Sequence, residues 1–166
     1  ERTRVATQMG TPAADLPAEL AGLPPCDQVG LVVRDLERAM AMYAPLFGPF
    51  TTMDGSVQQA SYRGRLADVG LKIAYGRSGD LEIELIEWTG GESPHREFIE
   101  AGREGMHHFR FRVDDTDHWV EKLRPLGYEA IWYKRWSADT VFAYLERAGD
   151  PTLIEFLQMP AGGPGA

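Results

Sequence analysis

Four side chains that can bind a divalent cation stand at corresponding positions in two halves of the sequence: Gln28, Glu84, His108 and Glu155. An imidazole, two carboxylates and an amide oxygen together suit Zn²⁺, Ni²⁺, Co²⁺, Mn²⁺ or Fe²⁺. Two carboxylates that converge in a half-closed cavity repel each other and lose hydration, and a divalent cation relieves both costs. Because such residues are more often solvated or structural, the metal hypothesis depends on the symmetric placement of the set.

The elements that would position these residues form a repeat. Residues 28–35 align without a gap on residues 108–115. In each half a β-prone run leads through an aspartate cap, Asp35 or Asp115, into a helical pattern over Leu36–Phe47 or Thr116–Leu126. Three strand-like runs follow each helix, at 51–61, 68–75 and 81–88 in the first half and at 130–136, 141–146 and 152–158 in the second.

This repeat predicts an α+β fold, in which two tandem βαβββ modules form one curved mixed sheet with a concave metal-binding cavity. The predicted organisation is an N-terminal tail over 1–25, a first module over 26–89 and a linker with a short helix over 90–104, followed by a second module over 105–159 and a flexible tail over 160–166. A single module is too small to be comfortably stable alone, so the two are expected to pair.

Side-chain alternation along the strands places the four candidate ligands on one side of the sheet. The uniformly apolar positions, such as Ile83 and Phe156, must cover the helices. The intervening positions then line the concave side, and they include the four candidates together with Arg110. His107 falls on the apolar face, where we expect a structural role.

Composition excludes several classes of function. The 166 residues carry 17 Lys and Arg against 25 Asp and Glu, a net charge of −8, so nucleic acid is a poor partner. No apolar run approaches the ~20 residues that a membrane helix needs. Cys26 is the only cysteine, so neither an internal disulfide nor a thiolate metal cluster is expected. These features favour a cytoplasmic protein.

Two stretches resemble the vicinal oxygen chelate superfamily, which includes glyoxalase I, methylmalonyl-CoA epimerases, extradiol dioxygenases and bleomycin-resistance proteins. Residues 29–39 (VGLVVRDLERA) are similar to the opening strand and helix of that superfamily. Residues 105–115 (GMHHFRFRVDD), together with Ser93-Pro94 and Phe98, are especially similar to methylmalonyl-CoA epimerases. The resemblance covers about residues 26–159 and implies metal ligands at the same four positions.

The sequence departs from the epimerase pattern at two places. Epimerases usually have histidine at the position of Gln28, where eukaryotic-type glyoxalase I has glutamine. They also have a catalytic glutamate on the third strand of the first half, whereas the run 68–75 has Lys72 as its only interior charge. The usual two-base epimerase mechanism therefore lacks the base from this strand in this chain.

The resemblance implies a divalent-metal-dependent isomerase, epimerase or lyase that stabilises an enolate of a small carbonyl or acyl-CoA-type substrate. Glu155 is the predicted base, and Glu84 is the weaker candidate. Arg110 and Tyr75 are predicted to bind substrate, although a salt bridge to Glu82 would explain Arg110 equally well. We expect a homodimer, because related proteins often dimerise.

Three other functions stay open. A lactoylglutathione lyase of the glyoxalase I type would use the same ligand set. A metal-free protein that binds a small molecule such as a drug does not need converging carboxylates. An extradiol dioxygenase needs two histidines and one carboxylate around Fe²⁺, and Gln28 occupies the place of one histidine.

Overall fold

A computed structural model describes residues 17–160 of the chain. The first half of this part contains β1 (Cys26–Val33), α1 (Leu36–Phe47), β2 (Thr51–Asp54), β3 (Val57–Tyr62), β4 (Arg65–Ser78) and β5 (Leu81–Gly91). Helix α2 (Pro94–Glu100) joins it to β6 (Gly105–Arg112), α3 (Thr116–Leu123), β7 (Tyr128–Arg135), β8 (Val141–Arg147) and β9 (Leu153–Gln158). Part of the predicted N-terminal tail and nearly all of the predicted C-terminal tail lie outside the described residues.

The strands form one mixed sheet in the order β2-β4-β3-β7-β8-β9-β6-β1-β5, and β5 also pairs with β4, so the sheet closes on itself. At its centre β1 runs antiparallel to β6, while β5 and β9 flank this pair as parallel neighbours. The arrangement relates the two halves by an approximate twofold axis between β1 and β6. The predicted α+β class with a curved mixed sheet is confirmed.

The two long helices begin as the sequence predicts. The Asp35 carboxylate accepts a hydrogen bond from the backbone N–H of Arg38, and the Asp115 carboxylate accepts one from the N–H of His118. Each cap satisfies a donor that the first helical turn leaves free. Both helices cover the outer face of the sheet, so the inner face is left to form a cavity.

Two predicted elements differ from the structure. The predicted strand over 51–61 is divided at Gly55-Ser56 into β2 and β3, which both pair with β4. The break is held by hydrogen bonds between Gly55, Ser56 and the backbone of Leu71. The predicted helix over 116–126 ends as α-helix at Leu123 and continues as a 3-10 turn, because Pro125 has no N–H for an α-helical bond.

None of the helices between residues 17 and 160 combines the length and the apolar character needed to cross a membrane. The cytoplasmic location and the homodimer stay predictions.

Gly30 is the residue of β1 that allows a ring to lie flat against the sheet. It pairs across β6 with His108, and a Cβ added at Gly30 would lie 2.0 Å from the Cε1 atom of the His108 ring. The ring is fully buried and is held on both sides, so it cannot move away at little cost. Glycine is therefore required here for close packing.

We expect the substitution Gly30→Ala to lower the free energy of unfolding by about 2 kcal/mol, the usual cost of forcing an extra methyl group into a packed interior. Urea denaturation of the metal-free protein measures the change. Cys26→Ala, which removes atoms from the same strand without a clash, serves as the control. A Gly30→Ala protein as stable as the parent would contradict the close packing.

Candidate metal centre

The structure brings the four predicted ligands together around one nitrogen atom. His108 Nε2 lies 3.3 Å from Glu84 Oε2, 3.2 Å from Glu155 Oε2 and 3.2 Å from Gln28 Oε1. The three oxygen atoms come from β5, β9 and β1, and the imidazole comes from β6 between them. All four side chains are buried or nearly so.

Three oxygen acceptors around Nε2 require a positive charge at that point. Burial alone would lower the pKa of His108, but hydrogen bonds to Glu155 and Glu84 and their negative charges outweigh it and raise the pKa to about 9. In the metal-free protein at neutral pH, the proton of an imidazolium supplies the charge. A metal ion would supply it in another way, with His108 neutral.

The spacing of the donor atoms fits a single divalent ion. Ligand bonds of about 2.0–2.2 Å place neighbouring ligand atoms about 2.8–3.1 Å apart in octahedral coordination and about 3.3–3.6 Å apart in tetrahedral coordination, so about 2.8–3.6 Å in all. The distances of 3.2 and 3.3 Å from His108 Nε2 to the three oxygen atoms lie in that range. The ligand atoms of Glu84, His108 and Glu155 all lie within 4.8 Å of one another.

A neighbouring carboxylate turns the Gln28 amide so that its oxygen faces the centre. Gln28 Nε2 donates a hydrogen bond of 2.6 Å to Glu82 Oε1, which leaves Gln28 Oε1 beside His108. Glu82 is held by Arg110 at 3.5 Å and by Arg77 at 3.8 Å. From the sequence, Glu82 is predicted only as a salt-bridge partner of Arg110, because its orienting role depends on the neighbouring strand.

Arg110 and Tyr75, the predicted substrate-binding residues, both line the cavity. The Arg110 guanidinium donates to both carboxylate oxygens of Asp27, at 3.1 and 2.8 Å, and also contacts Glu82. Arg110 thus forms the salt bridge to Glu82 that was the alternative to a role in substrate binding. Tyr75 pairs with Glu84 across β4 and β5, and burial together with the nearby glutamates raises the pKa of its hydroxyl, which stays protonated.

His107, predicted to have a structural role on the apolar side of the sheet, packs against His95 and Phe98 of helix α2. Gly30 pairs with His108 while Leu31 pairs with Met106, so His107 is an extra residue in a β-bulge, which interrupts the alternation. Its ring stacks on His95 with a centroid distance of 4.9 Å, and its Nδ1 lies 3.1 Å from Nδ1 of His108.

His107 therefore supports the ligand from behind. Burial lowers the pKa of His107, and the ring also bonds to the Pro94 carbonyl. A neutral His107 that donates to Pro94 can accept the Nδ1–H of His108 through its own Nδ1. This arrangement leaves Nε2 of a neutral His108 unprotonated and directed at the oxygen atoms, as second-shell partners of metal-bound histidines do.

A cavity of about 580 Å³ opens above the four residues. Its polar floor contains Glu82, Glu84, Glu155 and Arg110. Its walls are mainly aromatic and aliphatic, and they include Trp132, Trp136, Phe142, Tyr144, Leu71, Ile73 and Leu157. Within residues 17–160, the indole N–H of Trp132 is the one buried side-chain donor without a hydrogen-bond partner in the protein.

Stability of the metal-free protein should fall as the pH rises. The pKa of His108 is about 9 in the folded protein and about 6.5 when unfolded, so the proton stabilises the fold fully below pH 6.5. That stabilisation, about 3 kcal/mol, is lost as the pH rises through 9. Urea denaturation after chelation, between pH 6 and pH 9.5, measures it.

The variant His108→Gln should remove most of this slope, whereas His118→Gln, on the exposed surface of α3, should keep it. Added Zn²⁺ should raise the melting temperature more at pH 8.5 than at pH 6, because binding displaces the His108 proton. A parent protein whose stability is flat across this interval would show that His108 is not charged in the metal-free fold.

Loss of the Glu82 carboxylate should weaken metal binding although Glu82 is not a ligand. Glu82→Leu frees the Gln28 amide to turn, and we expect metal affinity to fall about 10–100-fold, the usual effect of removing an outer-shell partner. Competition with a chromophoric chelator measures the affinity. Glu82→Gln retains an acceptor oxygen for the Gln28 amide and should keep most of the parental metal affinity. Equal metal affinities of Glu82→Leu and the parent protein would refute the orienting role.

Comparison with known proteins identifies the family. The model of the glyoxalase/bleomycin resistance protein/dioxygenase superfamily matches residues 27–144, a range that ends before Glu155. Human mitochondrial methylmalonyl-CoA epimerase is 28% identical over 109 residues, which cover 62% of this chain and 57% of that enzyme. The mouse enzyme is 28% identical over 110 residues, 63% of this chain and 57% of its own length. The match thus spans little more than half of these relatives.

Solved structures share the fold at low sequence identity. A hypothetical protein of Bacillus halodurans C-125 matches with a TM-score of 0.60 and 22% identity over 82% of this chain and 94% of its own. Methylmalonyl-CoA epimerase of Mycobacterium tuberculosis matches with a TM-score of 0.56 and 20% identity, and the match covers 89% of this chain and 94% of that enzyme. A variant methylmalonyl-CoA epimerase of Streptomyces coelicolor, in complex with 2-nitronate-propionyl-CoA, matches with a TM-score of 0.57 and 22% identity. The match covers 84% of this chain and 96% of that enzyme. The predicted resemblance is confirmed, and the chain belongs to the glyoxalase/bleomycin resistance/dioxygenase superfamily.

Proposed function

We propose that this chain is a divalent-metal-dependent isomerase that moves a proton at a carbon atom next to a carbonyl group. The observation that carries the proposal is the meeting of Gln28, Glu84 and Glu155 oxygens at His108 Nε2 on the floor of an open cavity. The curated relatives, which are epimerases, support isomerase chemistry. A small carbonyl or acyl-CoA-type compound is the proposed substrate.

The same four residues would hold Zn²⁺, Ni²⁺, Co²⁺, Mn²⁺ or Fe²⁺. When bound, such an ion supplies a Lewis acid that stabilises negative charge on a substrate oxygen. One imidazole with two carboxylates differs from the two histidines and one carboxylate of an extradiol dioxygenase. Two buried acids that face each other are also unneeded in a metal-free binding protein, so both alternatives are weaker.

Glu155 and Glu84 are the proposed proton-transfer groups. They lie on β9 and β5, on opposite sides of the central pair β6 and β1, so they face the substrate position from two directions. Epimerisation needs a proton removed from one face of a carbon atom and returned to the other, which suits two such carboxylates. Glu155 is the principal base, because the resemblance to glyoxalases assigns that role to its position.

The strand β4, where the resemblance to epimerases would place a catalytic glutamate, offers no acid to the cavity. Its inward residues are Leu71, Ile73 and Tyr75, and Lys72 is exposed. We assign the second role to Glu84, because Glu82 is already bonded to Gln28 and paired with Arg110. The protonated Tyr75 hydroxyl, next to Glu84, is placed to donate a hydrogen bond to a substrate oxygen.

A lyase of the glyoxalase I type is the second candidate. The inward amide oxygen of Gln28 favours it, since the resemblance associates glutamine at this position with eukaryotic-type glyoxalase I. That reaction also moves a proton between neighbouring carbon atoms, so the same residues would serve it.

Replacement of Glu155 tests the proposed base. With protein reloaded with each metal in turn, NMR in D₂O measures deuterium entry into methylmalonyl-CoA and into hydroxyacetone. For whichever of the two compounds the parent protein exchanges faster, Glu155→Gln should lower the rate of deuterium exchange about 10²–10⁴-fold, the usual contribution of a general base. Elemental analysis must show that the variant still binds the metal.

Glu129→Gln, on the exposed part of β7, is the matched control and should exchange at the parental rate. Near-normal exchange by metal-loaded Glu155→Gln would remove Glu155 from the chemistry. A parent protein that retains none of the five metals, or that exchanges equally fast after chelation, would overturn the proposed function.

A further inference from the structure

One wall of the cavity is a continuous aromatic strip. Tyr144 lies against the His108 ring with a centroid distance of 5.0 Å, and Trp132 meets Tyr144 at 4.9 Å. Phe142 lies 4.4 Å from Trp132 and 5.4 Å from Trp136. Because Trp136 is 50% exposed, the strip extends from the floor of the cavity to its mouth.

The opposite wall is aliphatic. Leu71 and Ile73 of β4, with Val57 of β3 and Ile86 of β5, are buried and belong to the same apolar cluster as Trp132 and Tyr144. Met53, which lines the cavity from β2, is 45% exposed. A space between an aromatic and an aliphatic wall suits a flat apolar group.

The charges of the cavity disfavour an anionic ligand. Arg110 is the only Lys or Arg among the described residues that line it, against four carboxylates, those of Asp54, Glu82, Glu84 and Glu155. A divalent ion would leave this lining with excess negative charge. Arg110 is itself paired with both oxygens of Asp27 and with Glu82, so it has little to offer a substrate carboxylate.

Two cations next to the lining are also engaged. Arg77 lies 3.8 Å from Glu82 and donates to the backbone carbonyls of Gly79 and Asp80. Lys134 Nζ donates to the backbone carbonyl of Gln58 and lies 5.5 Å from the centre of the Trp136 ring. The Lys134 ammonium thus packs on an aromatic face at the mouth of the cavity and is not available to bind a phosphate or carboxylate group.

We infer that the substrate is an uncharged carbonyl compound with an aromatic or similarly flat apolar group, and that acyl groups with a free carboxylate are poor substrates. The inference rests on the function proposed above. The carbonyl end lies on the floor near Glu84 and Glu155, and the flat group lies between the aromatic strip and Ile73. Specificity comes from the apolar walls, and the acidic lining excludes anions.

Three matched ligands test this inference by calorimetry, on the protein incubated with metal and on the chelated protein: 2-hydroxyacetophenone, hydroxyacetone, which lacks the ring, and 4-(hydroxyacetyl)benzoate, which adds a carboxylate. The first should bind about tenfold or more tightly than the second, because its ring is buried. It should also bind about tenfold or more tightly than the third, because of the acidic lining.

Two variants separate the walls from the charges. Trp136 is half exposed at the mouth, and Trp136→Ala should weaken the binding of 2-hydroxyacetophenone about three- to tenfold without changing the affinity for hydroxyacetone. Leu126→Ala, which removes an exposed side chain outside the cavity, is the control and should change neither affinity. Asp27→Asn should reduce the difference in affinity between 2-hydroxyacetophenone and 4-(hydroxyacetyl)benzoate, because it frees part of the Arg110 guanidinium to pair with the ligand carboxylate.

The outcomes separate this inference from the proposed function. Equal binding of the charged and uncharged aromatic ligands, no gain from the ring, or faster deuterium exchange with methylmalonyl-CoA than with 2-hydroxyacetophenone would overturn the substrate class. A protein that prefers the aromatic ligand but retains no metal and catalyses no exchange would overturn the function and leave the ligand class standing.

Discussion

The structure depends on the need for positive charge at one buried point. Three oxygen atoms, from Gln28, Glu84 and Glu155, lie within 3.3 Å of His108 Nε2, where little water reaches them. Without a proton or a metal ion, these lone pairs would repel one another in a medium that screens charge poorly. Two neighbouring hydrogen bonds, between His107 and His108 and from Gln28 to Glu82, fix the direction in which the His108 ring and the Gln28 amide point.

The duplicated topology explains how such a point arises from residues distant in sequence. Each half provides a parallel pair of strands, β1 with β5 and β6 with β9, and the antiparallel contact of β1 with β6 joins them. Equivalent positions in the two halves thus come close to the same axis. Gly30 completes the arrangement, because its missing side chain leaves room for the His108 ring across the strand pair.

Much of this could be predicted from the sequence, since period-two alternation and internal repetition are local patterns. They placed the four candidate ligands on the inner face and found both helix caps. They do not predict the bulge that interrupts the alternation at His107, nor the turn at Gly55-Ser56 that divides a predicted strand. The partners of Arg110 and the role of Glu82 depend on which strands become neighbours and on side-chain reach, and neither is a local property of the chain.

The position of Glu155 on β9 has a consequence for biosynthesis. This strand pairs with β6 and β8 and is the last to enter the sheet in chain order. A ribosome-bound chain that has finished only its first half can present Gln28 and Glu84 but cannot enclose an ion. A metal ion held by all four side chains would therefore bind only after β9 has joined the sheet, so binding of the ion and completion of the fold would be coupled.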